Sequence, residues 1–262
     1  MTEPFADLSD KVAIVTGGTS GLGAGFSEAL AREGASVAVV GRSKDRAEAI
    51  VNRISSSGGR AVALLADIRS RVEVSAMVAR ASEELGPIDI LVNSAGVSHH
   101  AHAADTEWSD WEHVLGVNLN GLWSCTQAVA STMIAAHRAG SIVNIGSISG
   151  LIVNRPFMQP AYNSAKAAVH HLTRSLAAEW APYGIRVNAI APGFVRTEMT
   201  RMAEAEFADS PDFKRYTVDD VPMGRYATID EVTPALLFLC SGRCSSYVTG
   251  SIIVVDGGYT LW

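Results

Sequence analysis

Tyr162 and Lys166 stand four residues apart in Tyr162-Asn163-Ser164-Ala165-Lys166, and the run that follows, Ala167-Ala168-Val169-His170-His171-Leu172, has helical composition. Residues at this spacing share a helix face, with Cβ atoms roughly 5–6 Å apart. The phenol and the ammonium would therefore point the same way from consecutive turns. A phenol is a poor base near neutrality, with an ordinary pKa of about 10, and a nearby ammonium favours the phenolate. Such a pair can pass a proton to or from an alcohol at moderate pH. Ser147 adds a hydroxyl that could hold the same oxygen, provided the intervening loop returns over the helix. Alone, the Tyr-x-x-x-Lys spacing also arises by chance on helix surfaces, so its meaning depends on the elements that position it.

Those elements begin near the N-terminus. Val12-Ala13-Ile14-Val15-Thr16 is a continuously apolar, β-branched run, as expected of a strand buried on both faces. It leads into Gly17-Gly18-Thr19-Ser20-Gly21-Leu22-Gly23 and then into helical composition over residues 24–32. Strand, glycine turn and helix together make a phosphate-binding context. The glycines let backbone approach a pyrophosphate, and the helix N-terminus offers unpaired N–H groups and partial positive charge. The spacing is Gly17-x3-Gly21-x-Gly23, which differs from the G-x-G-x-x-G fingerprint. Further strands are expected at 36–40, 61–65, 88–92, 141–145, 185–190 and 252–255. Helices are expected at 44–54, 71–85, 110–137, 162–180 and 229–240. This alternation predicts an α/β fold: a single-domain, Rossmann-type doubly wound sheet of seven parallel strands with helices on both faces, spanning residues 1–262. The ligand crevice should lie at the carboxyl ends of the strands. The least regular stretch, Thr197 to Tyr226 within residues 193–226, reads as a substrate lid.

Composition narrows the functional classes. At 262 residues the chain can bury an ample core without staples. Three cysteines, Cys125, Cys240 and Cys244, are too few and odd in number for a disulfide framework. A formal charge of −6 argues against nucleic acid or an anionic membrane as partner. Residues 1–10 are acidic and carry no signal-peptide core, and no apolar run has the length of a membrane span. The expectation is a cytoplasmic protein.

With several motifs in order, the chain resembles the short-chain dehydrogenase/reductase family over nearly its whole length. Thr16-Gly17-x3-Gly21-x-Gly23 resembles the family's cofactor turn, and Asp67 stands where the family places an acid beside adenine. Asn93-Ser94-Ala95-Gly96 resembles Asn-Asn-Ala-Gly with Ser94 as a departure, which leaves a sheet-stabilising role for Asn93. Pro192-Gly193-x-Val195-x-Thr197 matches the turn that holds the nicotinamide carboxamide. The resemblance implies a proton-relay tetrad of Asn118, Ser147, Tyr162 and Lys166, with Asn118 carrying a water that links Lys166 to solvent. It implies cofactor contacts from Gly17, Thr19, Ser20, Gly21, Leu22, Gly23, Arg42, Asp67, Ile68, Asn93, Ala95, Gly96, Tyr162, Lys166, Pro192, Gly193, Val195 and Thr197. Hydride transfer between a nicotinamide and a carbinol or carbonyl carbon follows, with no metal. A homotetramer is implied as well, and the chain ends on Gly257-Gly258-Tyr259-Thr260-Leu261-Trp262, groups that fray unless docked. A non-catalytic dinucleotide sensor is the alternative of another class, but a sensor has no need of the relay.

Cofactor choice turns on Arg42. NAD-preferring folds place an acid after the second strand, whereas a nearby Arg suits a 2′-phosphate. Here Val39-Val40-Gly41-Arg42-Ser43 has no acid, and Ser20 supplies no second basic group. NADP(H) is slightly favoured over NAD(H). For the substrate, the loop Gly150-Leu151-Ile152-Val153-Asn154-Arg155-Pro156 and the terminal Gly-Tyr-Thr-Leu-Trp are similar to sugar-alcohol dehydrogenases of the galactitol and arabinitol type. That implies a polyol or ketose bound by Ser147, Ser149, Asn154, Gln159 and Tyr162. Asn154 could instead cap the turn before Pro156. Leu151, Ile152, Phe157 and Met158 leave room for a steroid or 3-oxoacyl thioester. His99-His100-x-His102 reads as a loop at the substrate mouth rather than a metal site. His170-His171 read as a subunit contact and Cys240-x3-Cys244 as structural thiols. Trp108, Trp111 and Trp123 read as core or interface residues.

Overall fold

The first strand, β1 (Val12–Thr16), is buried at every position, as an apolar β-branched run must be when both of its faces are covered. It belongs to a computed structural model that describes residues 6, 8–155, 157–210 and 212–262. Pro156 and most of the acidic leader lie outside those residues, so the turn-cap reading of Asn154 is described only on its Asn154 side. Six further strands follow: β2 (Ser36–Gly41), β3 (Arg60–Leu65), β4 (Ile90–Asn93), β5 (Gly140–Ile145), β6 (Ile185–Pro192) and β7 (Ile252–Val255). They form one seven-stranded sheet in the order β3-β2-β1-β4-β5-β6-β7, with every pairing parallel. The order reverses between β1 and β4, which opens a crevice at the carboxyl ends of those strands.

Alternation along β1 feeds two cores. Ala13 and Val15 pack with Phe26 and Leu30 of α1 (Gly21–Arg32), Ile50 of α2 (Lys44–Ser56) and Leu236 of α8 (Ile229–Cys240). Val12 and Ile14 pack with Met77 of α3 (Arg71–Leu85), Val129 of α5 (Leu122–Ala135) and Leu176 of α6 (Pro160–Trp180). Helices thus cover both faces, as the sequence pattern predicts. At the sheet's centre the Asn93 amide donates to Thr126 Oγ1 at 2.8 Å and to Asn144 Oδ1 at 2.9 Å, tying β4 to α5 and β5.

One expected element is corrected. Residues 110–137 do not form a single helix: α4 (Trp108–Leu115) and α5 are separated by a π-helical segment, Gly116–Gly121. Inside that segment the Asn118 amide donates to the carbonyls of Val114 at 2.9 Å and Val97 at 2.8 Å. Two glycines bracket the widened turn, and the asparagine fastens it to the loop after β4. Such bulges often mark functional sites, and periodicity alone does not reveal a one-residue insertion. The 193–226 stretch is more ordered than expected, with α7 (Glu198–Glu206) and a π turn at Arg215–Asp219. A short α9 (Gly242–Ser245) precedes β7. No helix among the described residues is long and apolar enough to cross a membrane. None of the three cysteines forms a disulfide, and burial pushes the Cys125 and Cys240 thiols up to about 12.

Candidate active site

The carboxyl ends of the strands open into a cleft of about 650 Å³. Its floor is the glycine turn between β1 and α1. Gly17 has φ +66°, and a Cβ there would lie 2.7 Å from the Ala95 backbone, so only glycine allows the turn to press against the end of β4. Ser20, the N-cap of α1, makes no side-chain capping bond. The first-turn N–H groups of α1 are thereby left for an anion, and the floor fits the pyrophosphate of a dinucleotide. Gly17, Thr19, Ser20, Gly21, Leu22, Gly23, Ala95, Gly96, Pro192, Gly193, Val195 and Thr197 all line this cleft.

Arg42, Asp67 and Ile68 line its other end. Arg69 grips the Asp67 carboxylate through Nε at 3.0 Å and Nη2 at 2.5 Å. These bonds, more than any other influence, hold Asp67 down at about 2. The expectation of a single basic group is corrected, because Arg46 also lines the cleft, from the first turn of α2. Ser43, the N-cap of α2, accepts from the Arg46 N–H at 3.4 Å. Asn93 is the second correction: it does not line the cleft, since it sits at the buried end of β4 with its NH2 donors spent inside the sheet.

Ser147, Tyr162 and Lys166 meet at the middle of the cleft. Tyr162 and Lys166 rise from the first two turns of α6, where Pro160 sits at the start and needs no N–H partner. The Lys166 ammonium lies 5.5 Å from the centroid of the Tyr162 ring and donates to the Ile145 carbonyl at 2.8 Å. Ser147 follows β5 directly, and its hydroxyl also accepts from the Ser149 N–H at 3.1 Å. Burial pushes the Tyr162 phenol up, and its hydrogen bond with the Ser147 side chain pulls it partly back. Burial brings the Lys166 ammonium down to about 8. Desolvation therefore opposes the charge effect expected from Lys166, and sequence spacing cannot show it. Asn118 lies behind, with Gly96 packed between it and Lys166. Its NH2 group donates to the Val97 and Val114 carbonyls, and its Oδ1 accepts from the Val97 N–H at 3.3 Å.

Ser149, Asn154 and Gln159 come together beside Ser147, all buried. The Ser149 hydroxyl donates to Asn154 Oδ1 at 2.8 Å, and the Gln159 amide reaches both at 3.4 Å. Asn154 thus spends its oxygen on side chains. None of the three lines the cleft wall described above. An aromatic cluster joins the loop before α6 to the 193–226 stretch: Phe157 packs against Phe207 at 5.4 Å and Phe213 at 5.8 Å. His100 stacks on Phe157 at 5.0 Å, and its Nδ1 is 2.9 Å from Glu206 Oε2. The histidine-rich loop is thereby packed against Phe157 and tied to α7. Among the described residues no group of His, Cys, Asp or Glu is arranged to hold a metal.

A family model described as enoyl-(acyl carrier protein) reductase matches residues 17–260. The chain is 43% identical over 257 residues to a galactitol 2-dehydrogenase (L-tagatose-forming) of Cereibacter sphaeroides, covering 97% of both. The chain belongs to the short-chain dehydrogenase/reductase family. As a member it is an NAD(P)-dependent oxidoreductase. Its fold matches a short-chain type dehydrogenase/reductase from Mycobacterium marinum with a TM-score of 0.92 and 36% identity, over 97% of each chain. It also matches a gluconate 5-dehydrogenase from Burkholderia cenocepacia, solved with NADP and tartrate, with a TM-score of 0.90 and 33% identity. That match covers 99% of this chain and 98% of the other.

Within this family member, sequence reasoning passes over several cleft residues, among them Ser43, Arg46 and Glu198. Arg46 carried a usable signal, since it follows Arg42 by four residues at the start of the expected helix. Glu198 had none, because it is brought across the cleft by α7. His170 is a further correction. It is buried inside its own subunit rather than at a subunit contact, whereas His171 is exposed. The His170 ring presses on Gly146, where a Cβ would lie 2.2 Å from Nε2. It makes no well-formed hydrogen bond, only a weak backbone contact with Gly150. Burial, with the Lys166 and Arg174 charges, lowers it to about 4.

Proposed function

We propose that this oxidoreductase acts on a polyol, oxidising one secondary alcohol to the matching ketose and running in reverse as a reductase. The observation that carries this reading is the buried Ser149–Asn154–Gln159 group next to Ser147, three side chains that both donate and accept hydrogen bonds. Their mutual bonds at 2.8 and 3.4 Å hold them as one polar group, which would have to give up bonds to one another to take a substrate hydroxyl. A site that bonds hydroxyls discriminates against analogues lacking them by as much as about 10⁴. The 43% identity to a galactitol 2-dehydrogenase supports the same reading.

When bound, the nicotinamide supplies the hydride acceptor. Tyr162 takes the hydroxyl proton in oxidation and returns it in reduction. Ser147 holds the substrate oxygen, and its hydrogen bond favours the phenolate of Tyr162. Lys166 is cationic below its pKa of about 8, which favours the phenolate and suits the cofactor ribose. Asn118 fastens the π turn behind Lys166. Arg42 and Arg46 at the adenosine end support NADP(H) over NAD(H). Residues 1–262 form one catalytic domain, with 193–226 as a lid. The working form is a homotetramer, which would cover Leu261 and Trp262, each about four-fifths exposed in the single chain (79% and 81%).

Four-, five- and six-carbon alditols, a simple secondary alcohol and a 3-oxoacyl thioester, assayed with both NADP and NAD, test the proposal. A polyol should turn over fastest. Faster turnover of either non-polyol would sink the substrate assignment, and cofactor binding with no turnover of any compound would favour a dinucleotide sensor.

A further inference from the structure

The 2′ end of the cleft has cations on one wall and a carboxylate on the other. NAD-preferring dinucleotide folds place an acid directly after the second strand, where it accepts from the ribose 2′-hydroxyl. Here β2 ends at Gly41 and continues into Arg42 and Ser43. Four residues on, in the first turn of α2, Arg46 lines the same cleft. From the opposite wall α7 brings in Glu198, its first residue, whose Oε2 lies 3.6 Å from Arg46 Nη1. Glu198 lines the cleft as well. Arg42 has its own carboxylate neighbour, since its charge helps to keep Asp67 ionised.

We propose that Glu198 sets the balance between NADP(H) and NAD(H) in this chain, by tying up Arg46 and presenting a carboxylate at the 2′ end of the cofactor site. This rests on the dinucleotide reading of the cleft. A 2′-phosphate gains the full charge of Arg46 only by displacing Glu198, and it then faces that carboxylate. A 2′-hydroxyl has no such conflict and finds an acceptor in Glu198. The acid that other folds supply from β2 is here supplied from the lid. The pair is about half exposed, 59% and 48% at the two side chains, so solvent screens it and its hold is weak. A phosphate dianion, which bonds guanidinium more strongly than a carboxylate does, can break it. The result is a moderated preference in a site that carries two arginines and no β2 acid.

Adenosine 2′,5′-bisphosphate and 5′-AMP isolate this end of the site, and their Kd values can be measured by calorimetry on the whole protein at fixed ionic strength. Glu198→Gln should tighten the bisphosphate about two- to fivefold, the scale of an exposed ion pair, and leave 5′-AMP unchanged or weaker. Arg46→Ala should weaken the bisphosphate, and in the Arg46→Ala background Glu198→Gln should lose most of its effect. Equal thermal midpoints for all variants would exclude misfolding as the cause. The inference is overturned if Glu198→Gln leaves the ratio of the two Kd values at its starting value, or raises it as much without Arg46 as with it. Arg42→Ala separates this from the cofactor reading. If it weakens the bisphosphate while Glu198→Gln changes nothing, the NADP reading stands and the role of Glu198 falls. If wild type binds both probes equally and Arg42→Ala alters neither, the NADP lean falls, and the response to Glu198→Gln still decides the role of Glu198.

Discussion

Tyr162, Lys166 and Ser147 sit on the first turns of a long helix and just past the end of a central strand, whereas the 193–226 stretch across the cleft is pinned by exposed side-chain pairs. On the relay side the backbone is regular, Lys166 and Ser147 are buried, and Lys166 bonds to the sheet itself. On the lid side the ties are Arg46–Glu198, His100–Glu206 and Arg196–Glu204, at 3.6, 2.9 and 3.9 Å, with one partner of each about half exposed or more. An aromatic cluster packs Phe157, in the loop before α6, against Phe207 and Phe213 of that stretch. The contrast separates two tasks. Proton transfer needs sub-ångström placement, which packed elements supply, while substrate admission needs a wall that can open. Changes on the relay side should therefore strike rate and stability, and changes on the lid side should strike affinity modestly.

The largest effect should come from Tyr162→Phe, which removes only the hydroxyl that carries the proton. General acid–base groups contribute about 10² to 10⁴ in rate, so kcat should fall by that factor while the Kd for the cofactor stays within about twofold of wild type. A variant with near-normal turnover would refute the relay mechanism outright.

The second effect concerns stability and separates the two walls by pH. His170 is a misfit in the packed side, with a pKa of about 4 against an ordinary value of about 6.5. The unfolded chain therefore binds a proton on His170 more readily than the folded one. Its contribution is complete above about pH 6.5 and is lost as pH falls through that window towards 4. Between pH 6.5 and 5 this amounts to about 2 kcal/mol, or about 4–8 °C in Tm. His170→Leu should flatten the acid slope of Tm by about that much. An unchanged slope would mean that His170 titrates normally and that the packed side is looser than its contacts imply.

The two walls also differ in how legible they were. The seven strands, their parallel order and the Tyr162–Lys166–Ser147 convergence follow from local signals: buried β-branched runs, a glycine turn and an i, i+4 pair. The π turn at Asn118 broke a helix that periodicity joined, because its cause is a side chain bonding to the loop after β4. Arg46 was within reach at four residues past Arg42. Glu198, the Phe157 cluster and the burial of His170 are tertiary facts, set by which segments cross the cleft, and no spacing encodes them. Desolvation at Tyr162 belongs with these, since burial acts only once the helix has docked.

A third, smaller effect should appear where the two walls meet. Asn154→Ala removes the acceptor that organises Ser149 and Gln159 and leaves their donors buried without their partner. If the group reads substrate hydroxyls, KM for the best alditol should rise about tenfold, the scale of one hydrogen bond to a buried group, while a simple secondary alcohol is turned over as before. An equal loss on both substrates would assign the group to loop packing instead.

The smallest effect should come from the 193–226 stretch itself. His100 packs between Phe157 and Phe207, at 5.0 and 5.3 Å, and bonds to Glu206 near the end of α7. The ring contacts are buried against the loop, but the Glu206 side chain is about half exposed at 51%. An exposed pair of this kind is worth at most about 1 kcal/mol. Glu206→Ala should therefore raise KM by less than about fivefold and leave kcat unaltered, because no relay group touches Glu206. Phe207→Ala takes away the packing and keeps the carboxylate, so its penalty on KM should be the larger of the two. If Glu206→Ala instead costs tenfold or more and lowers kcat with it, the lid is held by charge rather than by rings. The aromatic wall would then be a consequence of closure and not its cause.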